Sequence, residues 1–105
     1  MTESEFLQLS DDIFDRIEQA IDQHGLDADT LRQGNVLEIE FDSGDKVIVN
    51  RHAANQEMWI AAKSGGYHFS RRGEAWIASR DGSEFYSTLA EAIRAGSGEA
   101  FDFAD

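Results

Sequence analysis

The segment LEIEFDSGDKVIVNR, residues 37–51, predicts a β-hairpin and decides the fold class. Residues 37–41 alternate apolar with acidic side chains, which is the period-two pattern of a strand with one buried face. Residues 42–45 have the composition of a turn. The β-branched residues within 46–51 favour a second strand. The chain therefore contains an antiparallel pair near its middle.

Further strands are predicted after this hairpin, at residues 56–62, 67–70 and 75–78, with short glycine-containing turns between them. Strands joined only by short turns form an antiparallel meander. The polar segment 26–35 before the hairpin is interpreted as a connection with a turn at Gly34-Asn35.

A helix is predicted at each end of the chain. Thr2 and Glu5 have the spacing of a capping box, and Gly25 is placed to end the first helix. Helical spacing returns at Phe85, and Gly96 is interpreted as the end of the second helix. Two terminal helices on one face of an antiparallel sheet make an α+β fold, a two-layer α-β sandwich.

Composition limits the functional classes. The 105 residues favour a single domain, 1–105, and the absence of cysteine excludes disulfides and thiolate metal sites. Apolar runs are too short for a membrane span, and the acidic N-terminus does not resemble a signal peptide, so a cytoplasmic location is expected. The formal charge of −12 argues against nucleic acid or an anionic membrane as partner and suits cations or a basic protein surface.

The acidic residues concentrate in the first 45 positions, which carry 13 acids and two bases. Within the first helix, four acids fall on one stripe: Asp11, Asp15, Glu18 and Asp22. Such a stripe is either a solvated helix face or a binding surface. Within the helix only Arg16 offers relief from the like-charge repulsion. Carboxylate clusters suit hard cations such as Ca²⁺, Mg²⁺, Mn²⁺ or iron.

Trp59 is the principal candidate on the sheet. The aliphatic residues Met58 and Ile60 alternate with it, so a helix-covered aliphatic face would leave Trp59 on the open face, where it could anchor a partner. The opposite register would make Trp59 a core residue. The histidines His24, His52 and His68 each stand alone in their segments, which favours capping or surface roles.

Several pieces of sequence together resemble the bacterial branch of the frataxin family: VNR at 49–51, EMWIAAKSGGYHF at 57–69, and WI at 76–77 followed by DG at 81–82. The opening SEF at 4–6 and the acidic first helix are also similar. The resemblance covers essentially the whole chain. It implies two terminal helices packed on one face of a five- or six-stranded antiparallel sheet.

The resemblance also implies a function. It implies a non-enzymatic protein that binds iron, Fe²⁺ or Fe³⁺, weakly through an acidic ridge and docks on the cysteine desulfurase of iron–sulfur cluster assembly. An iron–sulfur scaffold protein would lie near Trp59. The expected metal ligands are Asp11, Asp15, Glu18, Asp22, Asp27, Asp29, Glu38 and Glu40. The expected partner-binding residues are Glu18, Asp22, Asn50, Arg51, Glu57 and Trp59.

Three hypotheses follow. The first is an iron-binding regulator of cluster assembly that is a monomer when metal-free and whose ridge other divalent cations can also occupy. The second is an acidic protein-interaction module without a metal role. The third is an iron oxidase, which would need a defined di-iron carboxylate site.

Overall fold

The computed structural model describes residues 1–103 as two helices and a six-stranded sheet. The elements are α1 (Glu3–His24), β1 (Ala28–Gln33), β2 (Val36–Phe41), β3 (Lys46–His52), β4 (Glu57–Ala62), β5 (Gly65–Arg72), β6 (Ala75–Ile77) and α2 (Phe85–Ser97). The strands lie in sequence order, and every neighbouring pair is antiparallel. Both helices pack on one face, which confirms the predicted two-layer α-β sandwich.

The first helix has the predicted ends. Thr2 accepts a hydrogen bond from the Glu5 amide at 3.1 Å, and the Glu5 carboxylate accepts one from the Thr2 amide at 3.1 Å. Gly25 ends the helix in the left-handed conformation, with φ 63°, which glycine adopts at no steric cost. These caps set the two ends of α1.

The core lies between the helices and one face of the sheet. Alternate strand residues supply it: Leu37, Ile39, Phe41, Val47, Val49, Met58, Ile60, Phe69 and Trp76. The largest side chains from the helices are Phe6, Phe14, Ile17, Phe85, Leu89 and Ile93, each essentially fully buried. The residues between these strand positions point to the opposite face, which no helix covers and which is called the open face below.

Two predictions are wrong, and the strand predicted at 67–70 is longer, Gly65–Arg72. The segment 26–35, interpreted as a polar connection, contains β1, an edge strand whose residues are mostly exposed. Gly96 does not end the second helix, which continues to Ser97 and is capped by Gly98 with φ 73°. Gly96 instead lies against the ring of Phe41, so close that a Cβ there would overlap the ring.

Neither α1 nor α2 combines the length and apolar character that a helix needs to cross a bilayer.

Candidate functional site

The open face of the sheet carries Trp59 at its centre. Trp59 pairs with Asn50 of β3 on one side and with His68 of β5 on the other. Its neighbours along the strand, Met58 and Ile60, are buried in the core, so the predicted strand register is confirmed. The indole is half-buried rather than exposed, because other side chains of the open face cover it.

Those covering side chains are two histidines, which sequence reasoning had treated as unrelated. The His52 ring stacks on the indole with centroids 4.7 Å apart, and the His68 ring stacks on it at 4.0 Å. The interplanar angles are 3° and 9°. The indole Nε1–H donates to Glu57 Oε1 at 3.0 Å. Trp59 is therefore the middle ring of a three-ring stack held in place by a carboxylate.

The acidic stripe of α1 is partly neutralised from within the fold. Arg32 of β1 donates to Asp15 at 2.7 Å, to Asp11 at 3.1 Å and to Glu18 at 3.2 Å. Relief of the stripe therefore also comes from outside the helix, from a strand that the sequence did not predict. Arg16 lies over the ring of Tyr86 on α2, with its Cζ 4.3 Å from the ring centroid.

Arg51 is the second cation on this stripe, and it is not on the open face with Asn50. Alternation along β3 turns Arg51 toward α1, where its side chain is 13% exposed. Its guanidinium donates to Asp11, to Ser10 Oγ at 3.1 Å and to the Leu7 carbonyl at 3.3 Å. Arg51, one of the expected partner-binding residues, therefore lies on the helix-covered face of the sheet, where it anchors α1, and not on the open face with Asn50 and Trp59.

These contacts change the protonation of one acid. The hydrogen bond from Arg51 holds the pKa of Asp11 below its ordinary value, opposed by desolvation and assisted by the charges of Arg51 and Arg32. Asp11 consequently stays ionised to a lower pH than an ordinary aspartate does. The same arrangement raises the pKa of Arg32, chiefly through its hydrogen bond to Asp15.

The other candidate acids have different surroundings. Asp22 and Asp27 are exposed at the end of α1 and just beyond it. Asp29 lies directly opposite Glu40 in the β1–β2 pair, on the open face. Glu38, also on that face, lies 3.5 Å from Lys46 Nζ. Within residues 1–103, Asp22, Asp27, Asp29 and Glu40 form no ion pair.

The eight predicted ligands thus fall into three groups. Asp11, Asp15 and Glu18 form an arginine-held set, and Glu38 lies beside Lys46. The remaining four form no ion pair within residues 1–103 and are called the unpaired set: Asp22, Asp27, Asp29 and Glu40. Asp29 and Glu40 lie on the open face, whereas the arginine-held set lies on α1, on the other side of the sheet. One contiguous surface therefore does not contain all eight predicted ligands.

The chain matches the model of the frataxin-like domain over residues 1–99. It belongs to the frataxin family. Among its frataxin-family relatives, the protein of Chromobacterium violaceum named "Iron-sulfur cluster assembly protein CyaY" is 96% identical over 104 residues, which cover 99% of each chain. The protein of the same name from Neisseria meningitidis serogroup C is 53% identical over 105 residues, covering 100% of this chain and 98% of the relative.

Solved frataxin structures show the same fold. Frataxin from Psychromonas ingrahamii superposes with a TM-score of 0.93 at 36% identity, with both chains fully covered. The trimeric frataxin of Saccharomyces cerevisiae, described as complexed with ferrous iron, has a TM-score of 0.70 at 20% identity over 94% of this chain and 88% of that one. At that identity the yeast structure supports the fold alone.

The donor set of this frataxin-family chain fits hard cations but does not form a cage. Within the described residues, no three histidine, aspartate or glutamate side chains are placed to hold one metal ion. The available ligands are carboxylate oxygens, which suit iron, Mn²⁺ and Ca²⁺. Separate surface carboxylates can attract a cation and share it with water, but they cannot enclose it.

Proposed function

We propose that this chain is an iron-binding regulator of iron–sulfur cluster assembly in the bacterial cytoplasm. The observation that carries the proposal is the 96% identity, over 99% of both chains, to a protein named for that process. The concentrated negative charge supports it, because it attracts both iron ions and basic protein surfaces. The proposal includes no catalytic role.

Iron is proposed to bind chiefly at the unpaired set. A cation that approaches Asp11 or Asp15 must compete with the guanidinium of Arg32, whereas Asp22 and Asp27 are exposed and unpaired within the described chain. Open carboxylate sites of low ligand count bind on the order of micromolar or more weakly. Binding shared among several acids should make single substitutions mild and combined substitutions strong.

The cysteine desulfurase is proposed to dock a basic patch on the acidic stripe of α1. Complementary charges mainly accelerate encounter, so this contact should weaken steeply with salt. Glu18 and Asp22 are the proposed desulfurase contacts on α1.

A scaffold protein is proposed to contact the open face at Asn50, Glu57 and Trp59, where the three-ring stack provides a rigid aromatic anchor.

An anaerobic Fe²⁺ titration of paired variants tests the iron proposal. Asp22→Asn/Asp27→Asn should weaken binding, whereas the matched control Asp15→Asn/Glu18→Asn should change it less, because Arg32 already occupies those carboxylates. Loss of binding from one single substitution would contradict a shared site. Equal losses in both double variants would contradict the division into two sets.

Co-purification with the cellular cysteine desulfurase tests the partner. Glu18→Lys/Asp22→Lys should abolish capture, and Glu91→Lys on the exposed side of α2 is the control that should retain it. Capture by the unmodified chain that does not change when iron is added or removed would favour the acidic interaction module. Oxygen consumption during Fe²⁺ addition would instead favour an iron oxidase.

A further inference from the structure

The two edges of the sheet differ in how much backbone they leave available for pairing. β6 is three residues long, and Ile77 at its end is already bridged on the outer side to Glu84. β1 is six residues long and lies at the other edge, where its outer side pairs with no strand of residues 1–103. An edge of this kind can pair with an added strand.

The hydrogen bonds of β2 show which backbone groups of β1 point outward. Arg51 N donates to the Asn35 carbonyl at 2.9 Å, at the start of the β2–β3 pairing. Successive residues of a strand bond to opposite sides, so residues 35, 37 and 39 bond to β3, and residues 36, 38 and 40 bond to β1. Their partners in β1 are residues 33, 31 and 29. The N–H and C=O groups of Thr30 and Arg32 therefore point away from the sheet.

These outward groups have the spacing that strand addition requires. The outward N–H of Ala28 is used locally, since it donates to the Leu26 carbonyl at 2.9 Å. The backbone N–H groups of Thr30 and Arg32 have no such bond within residues 1–103. An antiparallel strand exchanges N–H and C=O bonds with every second residue of its neighbour. Thr30 and Arg32 therefore offer two consecutive pairing positions to an extended segment of another chain.

The side chains of β1 on the open face specify what that segment must carry. Leu31 is 52% exposed, an unusual exposure for a large hydrophobic residue of this chain. Asp29 lies two residues before it on the same face, opposite Glu40, and neither acid has an ion pair within residues 1–103. An added antiparallel strand therefore meets an apolar position at Leu31 and, two residues later in its own direction, an acidic position at Asp29.

Acidic groups lie on the helix side of this edge as well. The arginine-held set of α1 reaches down to Arg32, so its three carboxylates lie above β1. Their charge exceeds that of the two guanidinium groups, Arg32 and Arg51, that bind them. Both sides of the edge are therefore negative, and the formal charge of −12 opposes the approach of a second copy of the chain. Charge complementarity favours a basic segment.

We propose that β1 is a docking edge for an extended basic segment of a partner protein, which adds to the sheet as an antiparallel strand. An apolar residue of the segment packs on Leu31, and a lysine or arginine two positions later pairs with Asp29. Backbone bonds to Thr30 and Arg32 supply affinity, while the alternate side chains supply specificity. The proposal does not rest on the iron, desulfurase or scaffold proposals, because it concerns the backbone of β1.

A hexapeptide blocked at both ends, Thr-Thr-Val-Thr-Lys-Thr, is the probe. Paired antiparallel with β1, it places its valine opposite Leu31 and its lysine opposite Asp29. Amide hydrogen exchange followed by NMR should show slower exchange at Thr30 and Arg32. At about 90% occupancy the slowing should be about ten-fold, because only the unoccupied tenth of the molecules exposes these N–H groups. The Leu31 amide, already bonded to β2, should change little. Binding without this alternating protection would overturn the proposal.

Two altered peptides separate strand pairing from charge. N-methylation of the second and fourth residues, which lie opposite Arg32 and Thr30, retains the charge, removes two N–H donors and should weaken binding at least about ten-fold. Replacing the lysine with glutamate should also weaken binding, and Asp29→Lys in the chain should make this peptide bind more tightly than it binds the unmodified chain. Equal affinities of the methylated and unmethylated peptides would overturn the proposal, because charge alone would then explain binding.

A pair of variants at one position tests the edge itself. Thr30→Pro removes an outward N–H, which an edge strand tolerates, and should lower the affinity for the lysine peptide about ten-fold. Thr30→Val keeps the N–H and is the matched control. If Thr30→Pro does not fold, Asp29→Lys supplies the test, since it should also lower that affinity; full affinity in the variant measured would overturn the proposal. Self-association in sedimentation that Asp29→Lys or Thr30→Pro changes, without peptide binding, would overturn it in favour of a second copy.

Discussion

Replacing Arg51 with glutamine should destabilise the fold more than replacing Arg32, the other strand arginine that contacts the acidic stripe of α1. The Arg51 side chain is 13% exposed and bonds Asp11, Ser10 Oγ and the Leu7 carbonyl on α1. Ser10 is fully buried and keeps only its own bond to the Leu7 carbonyl, at 3.0 Å, when the guanidinium is removed. Asp11, at 43% exposed, can rehydrate, which limits the loss.

The expected cost follows from these contacts. Hydrogen bonds that involve a charged group contribute about 1.5–3 kcal/mol, and the rehydration of Asp11 restricts Arg51→Gln to about 2–3 kcal/mol in total. For a domain of this size, each kcal/mol lowers Tm by about 4–8 °C, so a decrease of about 10–20 °C is expected. Urea unfolding followed by circular dichroism gives the free energy of unfolding independently.

Arg32→Gln is the informative comparison. Arg32 has three carboxylate partners, but they are 43%, 56% and 36% exposed, so solvent screening reduces the expected cost to about 1 kcal/mol or less. Arg72→Gln, on an exposed residue of β5, should change stability little. A cost for Arg32→Gln equal to that for Arg51→Gln, or an Arg51→Gln cost below that of Arg72→Gln, would refute the reasoning from burial.

Four further predictions concern stability. By calorimetry, Tm should rise with NaCl, because salt screens the repulsion among the unpaired acids. It should rise further with millimolar Mn²⁺ or Ca²⁺, because such a cation binds only the folded form. A flat or falling Tm in both series would contradict this. Folding lowers the pKa of Asp11, so its ionised carboxylate stabilises the fold above the ordinary pKa of aspartate, about 3.9, and this stabilisation is lost as pH falls below that value. The Tm difference between the unmodified chain and Asp11→Asn should therefore shrink in acid and not in alkali. In urea unfolding, Trp76→Ala should cost about 3–5 kcal/mol because Trp76 fills the core, whereas Trp59→Ala should cost about 1 kcal/mol because it removes mainly ring stacking. Equal costs for the two variants would contradict this difference. In the same assay, Gly96→Ala should cost about 1–3 kcal/mol, because the added Cβ overlaps the ring of Phe41.

Most of the fold could be predicted because its signals are local. The capping box at Thr2 and Glu5 needs only three residues of sequence, and the alternation of Met58 and Ile60 with Trp59 sets the faces of β4. β1 could not be predicted in this way, since its residues are mostly exposed and Arg32 faces acids of α1 rather than the core. Its pairing with β2 decides its conformation, not its own hydrophobic pattern.

The site was harder to predict for the same reason. Asn50 and Arg51 are adjacent in sequence, but strand alternation places them on opposite faces, so the family resemblance alone could not assign them to one surface. His52 and His68 are separated by 15 residues and meet only because β3 and β5 flank β4 in a particular register. The signal that could have found them is the period-two pattern, applied to polar residues as well as apolar ones.

The sequence-ordered sheet also has a kinetic consequence. Each strand pairs with the next one along the chain, from β1 through β6, so each pairing closes only a short loop. Short loops cost little chain entropy, and proteins with sequence-local contacts fold faster than those that depend on distant pairings. One distant closure is the docking of α1 on β3, between Leu7 and Arg51, which are 44 residues apart. The arginine that anchors the helix therefore acts at a step where the chain must bring together parts that lie far apart in sequence.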